Sequence, residues 1–304
     1  MVMQLGFVSA ILGELSLEAV LAFAADEGFG CVELMCWPPG EANRRYAGVT
    51  HIDVTECDRD ECEHIRNLLR IHRVNISALG YYPNPLDPDP EHRRFVIEHL
   101  KKVIHTAPRL GVSVVNTFIG RDSNKSIDDN WPLFQEVWPD IMKTAEQAGV
   151  AIGIENCPML FSKDEWPGGT NLASTPAIWR KMFTEIPSRN FGLNYDPSHL
   201  IWQHIDYVRC IREFGSRFVH FHAKDTRIDP DELYKVGTNG LGWHTAKIPG
   251  LGDIDWRRVF SALTDSGYKG AVCIEVEDRA FETTLDDRKR ALRQSRGYLM
   301  QFVS

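Results

Sequence analysis

From Gln4 almost to its last residue the chain repeats one unit eight times, a short β-prone run followed by a segment with apolar residues at helical spacing. The strand-like runs are QLGFVSA, CVELMCW, NISALGYY, SVVNTFIG, AIGIENC, FGLNYDPSHL, FVHFHAKD and GAVCIEVED. The first helical segment, SLEAVLAFAADEG, opens on Ser16, a residue type suited to an N-cap. Such alternation, with no linker or shift of composition to mark a second unit, predicts an α/β protein built as a single (β/α)8 barrel domain, a TIM barrel, over residues 1–304. An open doubly wound sheet is the alternative. That fold usually carries a Gly-rich phosphate fingerprint after its first strand, and SAILGELS is not one.

Composition narrows the partners. With a formal net charge of -8 and no basic stripe, the chain is not expected to bind nucleic acid. No apolar run approaches the roughly 20 residues of a membrane span. The N-terminus lacks the basic region of a signal peptide, and the seven cysteines are scattered and odd in number. A reducing cytoplasmic location is the expectation.

In such barrels the chemistry sits at the C-terminal ends of the strands. Strand five ends at Glu155 and strand six at Asp196, while strands seven and eight carry His222 and Glu275. Period-two alternation pairs these with Gly153, Asn194, His220 and Cys273 on a common face of each strand. If that face is the barrel interior, three carboxylates and an imidazole converge. Burying three carboxylates together is prohibitive without a compensating cation. An oxygen-rich set of this kind suits one divalent metal ion, with Mn²⁺ foremost and Mg²⁺, Co²⁺ and Zn²⁺ as the other candidates.

Around this set stand residues with two readings each. His199, three residues after Asp196, is placed to meet a substrate oxygen or a second metal, or else stabilises its turn. Lys224 is read toward the rim, as a substrate contact or the partner of Glu277. His220, one layer deeper than His222, is a hydrogen-bond partner or a packed core residue. Arg121 is placed to meet an anionic substrate group, or to cap its loop. Trp37, Trp166, Trp202 and Trp243 fall at or after strand ends, where an indole either stacks on a sugar or seals packing. His244 is positioned to reach the site, and Asp255 to cap the following helix. The long connection MLFSKDEWPGGTNLAST after strand five has the length of a lid or binding loop.

The ordered series IEN, DPSH, HFHAKD, PGLGDIDW and IEVED resembles the xylose isomerase-like barrel superfamily of sugar phosphate isomerases and epimerases. The resemblance covers nearly the whole chain. It implies that Glu155, Asp196, His222 and Glu275 bind one divalent cation, that Glu155 and Glu275 also serve as acid and base, and that His199 contacts substrate. It further implies a homo-oligomer, a dimer or tetramer. The arginine that ketose 3-epimerases place six residues after the liganding histidine is replaced by Ile228, with Arg227 one position earlier. The extra histidines of the related endonucleases are missing from strands three and four, which end with Tyr81, Tyr82 and Arg121.

The expected function is therefore a metal-dependent sugar isomerase or epimerase working by proton abstraction next to a carbonyl, through an enediolate. A lyase acting on a keto sugar, keto-glycoside or inosose is the alternative. A non-catalytic sugar-binding barrel is a further one.

Overall fold

The computed structural model describes residues 3–40, 46–159, 169–238 and 240–303. Eight parallel strands close into a barrel: β1 (Gln4–Val8), β2 (Cys31–Met35), β3 (Asn75–Gly80), β4 (Val114–Thr117), β5 (Ala151–Glu155), β6 (Phe191–Tyr195), β7 (Phe218–Ala223) and, closing the ring against β1, β10 (Ala271–Ile274). The remaining two strands, β8 (Asp225–Ile228) and β9 (His244–Lys247), form an antiparallel hairpin above β7.

Most helices pack around the barrel by an apolar stripe, and several start on a capping side chain. Helix α1 (Leu17–Asp26) starts on Ser16, whose hydroxyl accepts the Ala19 N–H, and buries Val20, Leu21, Phe23 and Ala24. Helices α2 (Arg59–His72) and α3 (Pro90–Thr106) begin on the side chains of Asp58 and Asp89. Helix α4 (Ile127–Ala148) starts on Ser126 and ends on Gly149, which adopts the left-handed conformation that a residue without Cβ takes readily. The outer ring is completed by α5 (Pro176–Glu185), α7 (Tyr207–Phe214), α9 (Trp256–Asp265) and α10 (Leu285–Leu299), while the one-turn α6 (Ser198–Ile201) follows β6 and α8 (Pro230–Val236), which buries no residue, lies between β8 and β9. Asp255 caps α9 through the Arg258 N–H, as the sequence suggests. No helix among the described residues is long and apolar enough to cross a membrane.

Two irregularities prepare the barrel interior. The register shifts between β2 and β3 at Val32/Glu33, and between β6 and β7 at Leu193/Asn194. Such bulges re-aim side chains. Here they flank Ser77 and His220, whose side chains meet inside the barrel at 3.1 Å.

Candidate active site

The C-terminal mouth of the barrel gathers Glu155 from β5, Asp196 just after β6, His222 from β7 and Glu275 just after β10. All four are essentially buried apart from Glu275, whose side chain is 19% exposed. Asparagines hold the carboxylate strand ends by their backbones. Asn156 accepts the Asp196 N–H at 2.7 Å and donates to the Asp196 carbonyl at 2.8 Å. Asn171 donates to the carbonyls of Glu155 and Cys157.

His222 Nδ1 points at two of the carboxylates, 3.5 Å from Glu275 Oε2 and 4.0 Å from Glu155 Oε1. It is buried without a hydrogen bond. Glu155, His222 and Glu275 each offer an atom within 4.8 Å of the others, so three of the four expected ligands surround one point. Asp196 meets the group through intermediaries, its Oδ2 lying 3.2 Å from both Lys224 Nζ and His199 Nε2. His199 also reaches Glu155 Oε1 at 3.3 Å.

Lys224 does not stand at the rim. Its side chain is 3% exposed, and its ammonium lies 2.7 Å from Glu275, 3.0 Å from Glu277 and 3.2 Å from Asp196. The aliphatic stem folds back over the barrel mouth because these carboxylates attract the charge inward. Burial favours protonated Glu155, and neighbouring Glu275 raises its pKa further. Partial burial works against ionised Glu275, yet Lys224, and then His222, hold it well below the usual carboxylate range. Two neighbouring carboxyl groups are thereby pushed toward opposite protonation states.

Beneath His222 lies a residue that sequence reasoning missed. Glu33, fully buried in β2, places Oε2 2.7 Å from His222 Nε2, and its other oxygen accepts the Tyr82 hydroxyl. Room for it comes from Gly80, where a Cβ would stand 2.7 Å from Glu33 Oε1. Asn194 donates to Tyr82 Oη at 3.1 Å and accepts from His220 Nδ1 at 3.0 Å, while His220 Nε2 meets Ser77 Oγ. His220 is thus a hydrogen-bonded support of the layer below. The available signal was a carboxylate in the middle of CVELM, a run otherwise suited to burial.

The charge balance bears on metal binding. Glu33, Glu155, Asp196, Glu275 and Glu277 face the ammonium of Lys224 and the imidazoles of His199 and His222. With both imidazoles protonated, two negative charges are uncompensated if all five carboxylates are ionised and one if Glu155 holds a proton, an excess that burial penalises. With Nε2–H donated to Glu33, His222 Nδ1 is the ring atom that faces the carboxylates, and a cation bound there would take the place of its proton. Carboxylate oxygens plus one imidazole nitrogen fit a divalent cation.

Other expected residues divide. His244 stacks flat on Trp202, with centroids 4.6 Å apart, and with His199 and Lys224 they line a cavity of about 650 Å³ above the carboxylates. Trp243 is buried and donates to the Gly240 carbonyl, a packing role. Trp37 lines a separate cavity on the β2–β4 side. Arg121 lies outside both cavities, its guanidinium turned back to the Lys125 carbonyl, because that loop folds on itself around Asn84 and Asn130. Trp166 and the centre of the long β5 connection lie outside the described residues.

Residues 21–302 match the family model described as Xylose isomerase-like TIM barrel. The chain belongs to this family. It is 28% identical to the uncharacterized protein YfiH of Bacillus subtilis, over 91% of this chain and 93% of that one. It is also 28% identical to an inosose dehydratase of Clostridium tetani, over 62% of this chain and 61% of the relative. Among solved structures, D-psicose 3-epimerase from Clostridium cellulolyticum superposes with a TM-score of 0.70 at 16% identity, covering 98% of this chain and 99% of that one. The IOLI protein with a binding zinc atom superposes with a TM-score of 0.72 at 17% identity, covering 99% of this chain and 100% of that one.

Proposed function

We propose that this protein is a divalent-metal-dependent enzyme that transfers a proton at the carbon beside the carbonyl of a sugar or cyclic polyol, with isomerisation or epimerisation as the outcome. The observation that carries this reading is the pair Glu155 and Glu275, each with an oxygen within 4.0 Å of His222 Nδ1, which has no hydrogen-bond partner. Glu155, His222, Glu275 and Asp196 would hold the cation, with Mn²⁺ the first choice for so oxygen-rich a set. When bound, it supplies Lewis acidity that makes the neighbouring C–H more acidic.

The chain's own groups do the rest. One glutamate removes the proton from carbon, generating the enediolate. The other returns a proton to the adjacent oxygen or to the opposite face of the carbon. His199, between Glu155 and Asp196, is placed to orient a substrate hydroxyl. Lys224 offers its ammonium to the developing oxyanion. Trp202 and His244 form a flat wall for the ring above.

A second reading is favoured by Lys224 and by the inosose dehydratase similarity. An ammonium hydrogen-bonded to Glu275 can donate a proton to a hydroxyl leaving from the β-carbon, so that water departs and an enone remains. The Mn²⁺-loaded protein should be incubated in D₂O with a panel of ketoses, keto-glycosides and inososes. Deuterium at one carbon of one substrate class is expected. A product absorbing in the ultraviolet selects dehydration over isomerisation, and a panel that takes up no deuterium and forms no enone contradicts both.

A further inference from the structure

Besides the cavity above the carboxylates, the barrel mouth holds a second cavity of about 440 Å³ against β2–β4. Trp37, Tyr81, Tyr82, Phe95 and Phe118 give its wall an aromatic character, with Asn84, His92 and Thr170 also lining it. Among its described lining residues there is no carboxylate, ammonium or guanidinium. The cavity above the carboxylates is the reverse, with Lys224, Arg227, Lys247, Glu277, Asp278 and Arg279 around it.

The two cavities share a partition. Met159 lines the charged cavity and packs in one apolar cluster with Tyr82 and Phe118, which line the aromatic one. Tyr82 belongs to both sides: its hydroxyl donates to Glu33, and its ring centroid lies 6.2 Å from that of His222. Phe118 packs on Tyr82 at 5.1 Å, and Trp37 meets Tyr81 edge-on at 5.1 Å. Phe95, on α3 at the outer rim, leaves 52% of its surface exposed.

We infer that the substrate is two-part: a hydroxylated ring reacting over the carboxylates, joined to a flat apolar or aromatic group that lodges between Trp37, Tyr82, Phe95 and Phe118. Size and lining suit such a group, since small-molecule sites of about 300–1,000 Å³ take most of their surface from apolar walls. Among the described lining residues His92 is the one side chain able to carry a positive charge. An aryl glycoside, reacting as its keto form, has the required chemistry. This assignment rests on reading the carboxylate cluster as the reaction centre.

Affinity of the Mn²⁺-loaded protein for methyl β-D-glucopyranoside and phenyl β-D-glucopyranoside, measured by ligand-observed NMR titration, tests the aromatic cavity without requiring turnover. The phenyl compound should bind at least about tenfold more tightly, equivalent to about 1.4 kcal/mol. That ratio should fall toward one in Phe95→Ser, which strips the rim, and in Ala47→Trp, which fills the space. A ratio near one in the unsubstituted protein, or no binding of the phenyl compound at millimolar concentration, overturns the inference. So does a ratio that both variants leave intact. Deuterium uptake by an unsubstituted keto sugar reports on the carboxylate centre separately, so the two readings fail independently.

Discussion

His222 Nε2 lies 2.7 Å from Glu33 Oε2, joining β7 to β2 inside the barrel. Nε2–H donates to the carboxylate, so Nδ1 is the ring atom left to face Glu155 and Glu275, and its lone pair would become available to a cation that displaces the proton these carboxylates favour. A carboxylate in this position fixes the tautomer and raises the basicity of the ring. Glu33→Gln should therefore weaken Mn²⁺ binding about 10- to 100-fold. Metal titration measures the loss, and an unchanged circular dichroism spectrum separates it from unfolding.

Glu155→Gln and Glu275→Gln should each cut turnover by about 10²-fold or more, since a carboxamide cannot exchange the proton. Deuterium uptake in D₂O is the readout that distinguishes lost proton transfer from lost binding. Activity unchanged in either variant would remove that residue from the acid–base pair.

Asp225 couples the HFHAKD and PGLGDIDW segments. One oxygen accepts the N–H groups of Thr226 and Ile254, and the other accepts Gly250 N–H and the Trp256 indole. Gly252 lets the loop approach, for a Cβ there would stand 2.2 Å from Asp225 Oδ1. Asp225→Ala strands these donors in a buried setting and should destabilise the fold by about 3 kcal/mol or more. Urea unfolding with an unchanged m-value checks it.

Acid should destabilise the fold through His51. Burial pulls its pKa from 6.5 to about 4, and its Nδ1 sits 3.0 Å from Ser9 Oγ, which also accepts the Met35 N–H. The hydroxyl proton is thus free to point at a neutral ring. Because the folded-state pKa is the lower one, the unfolded chain takes up the proton first as pH falls. The stabilisation is complete above pH 6.5 and is lost toward pH 4, amounting to about 3 kcal/mol. His51→Gln should flatten the fall in urea-derived stability across that interval.

The eight strand–helix units were legible because strand burial and helical periodicity are local properties, and caps such as Ser16 and Asp255 announce themselves by residue type. Period two was enough to bring Glu155, Asp196, His222 and Glu275 to one end of the barrel. The side-chain conformation of Lys224 was not legible, since a four-carbon stem reaches outward or inward depending on charges supplied by other strands. Glu33 escaped for a similar reason: its partner His222 is 189 residues away, and the β2–β3 register shift beside it has no mark in CVELM. The β8–β9 hairpin escaped because four-residue strands inside a long connection carry too little alternation to stand out.

The central claim is a divalent cation held at the barrel mouth, and anomalous diffraction from a crystal soaked in Mn²⁺ tests it most directly. The account predicts one strong peak bonded by His222 Nδ1 and carboxylate oxygens of Glu155 and Glu275, with the Lys224 ammonium displaced from Asp196 to let that carboxylate join. A crystal showing no peak there, with Lys224 still bridging Asp196 and Glu275, would contradict it.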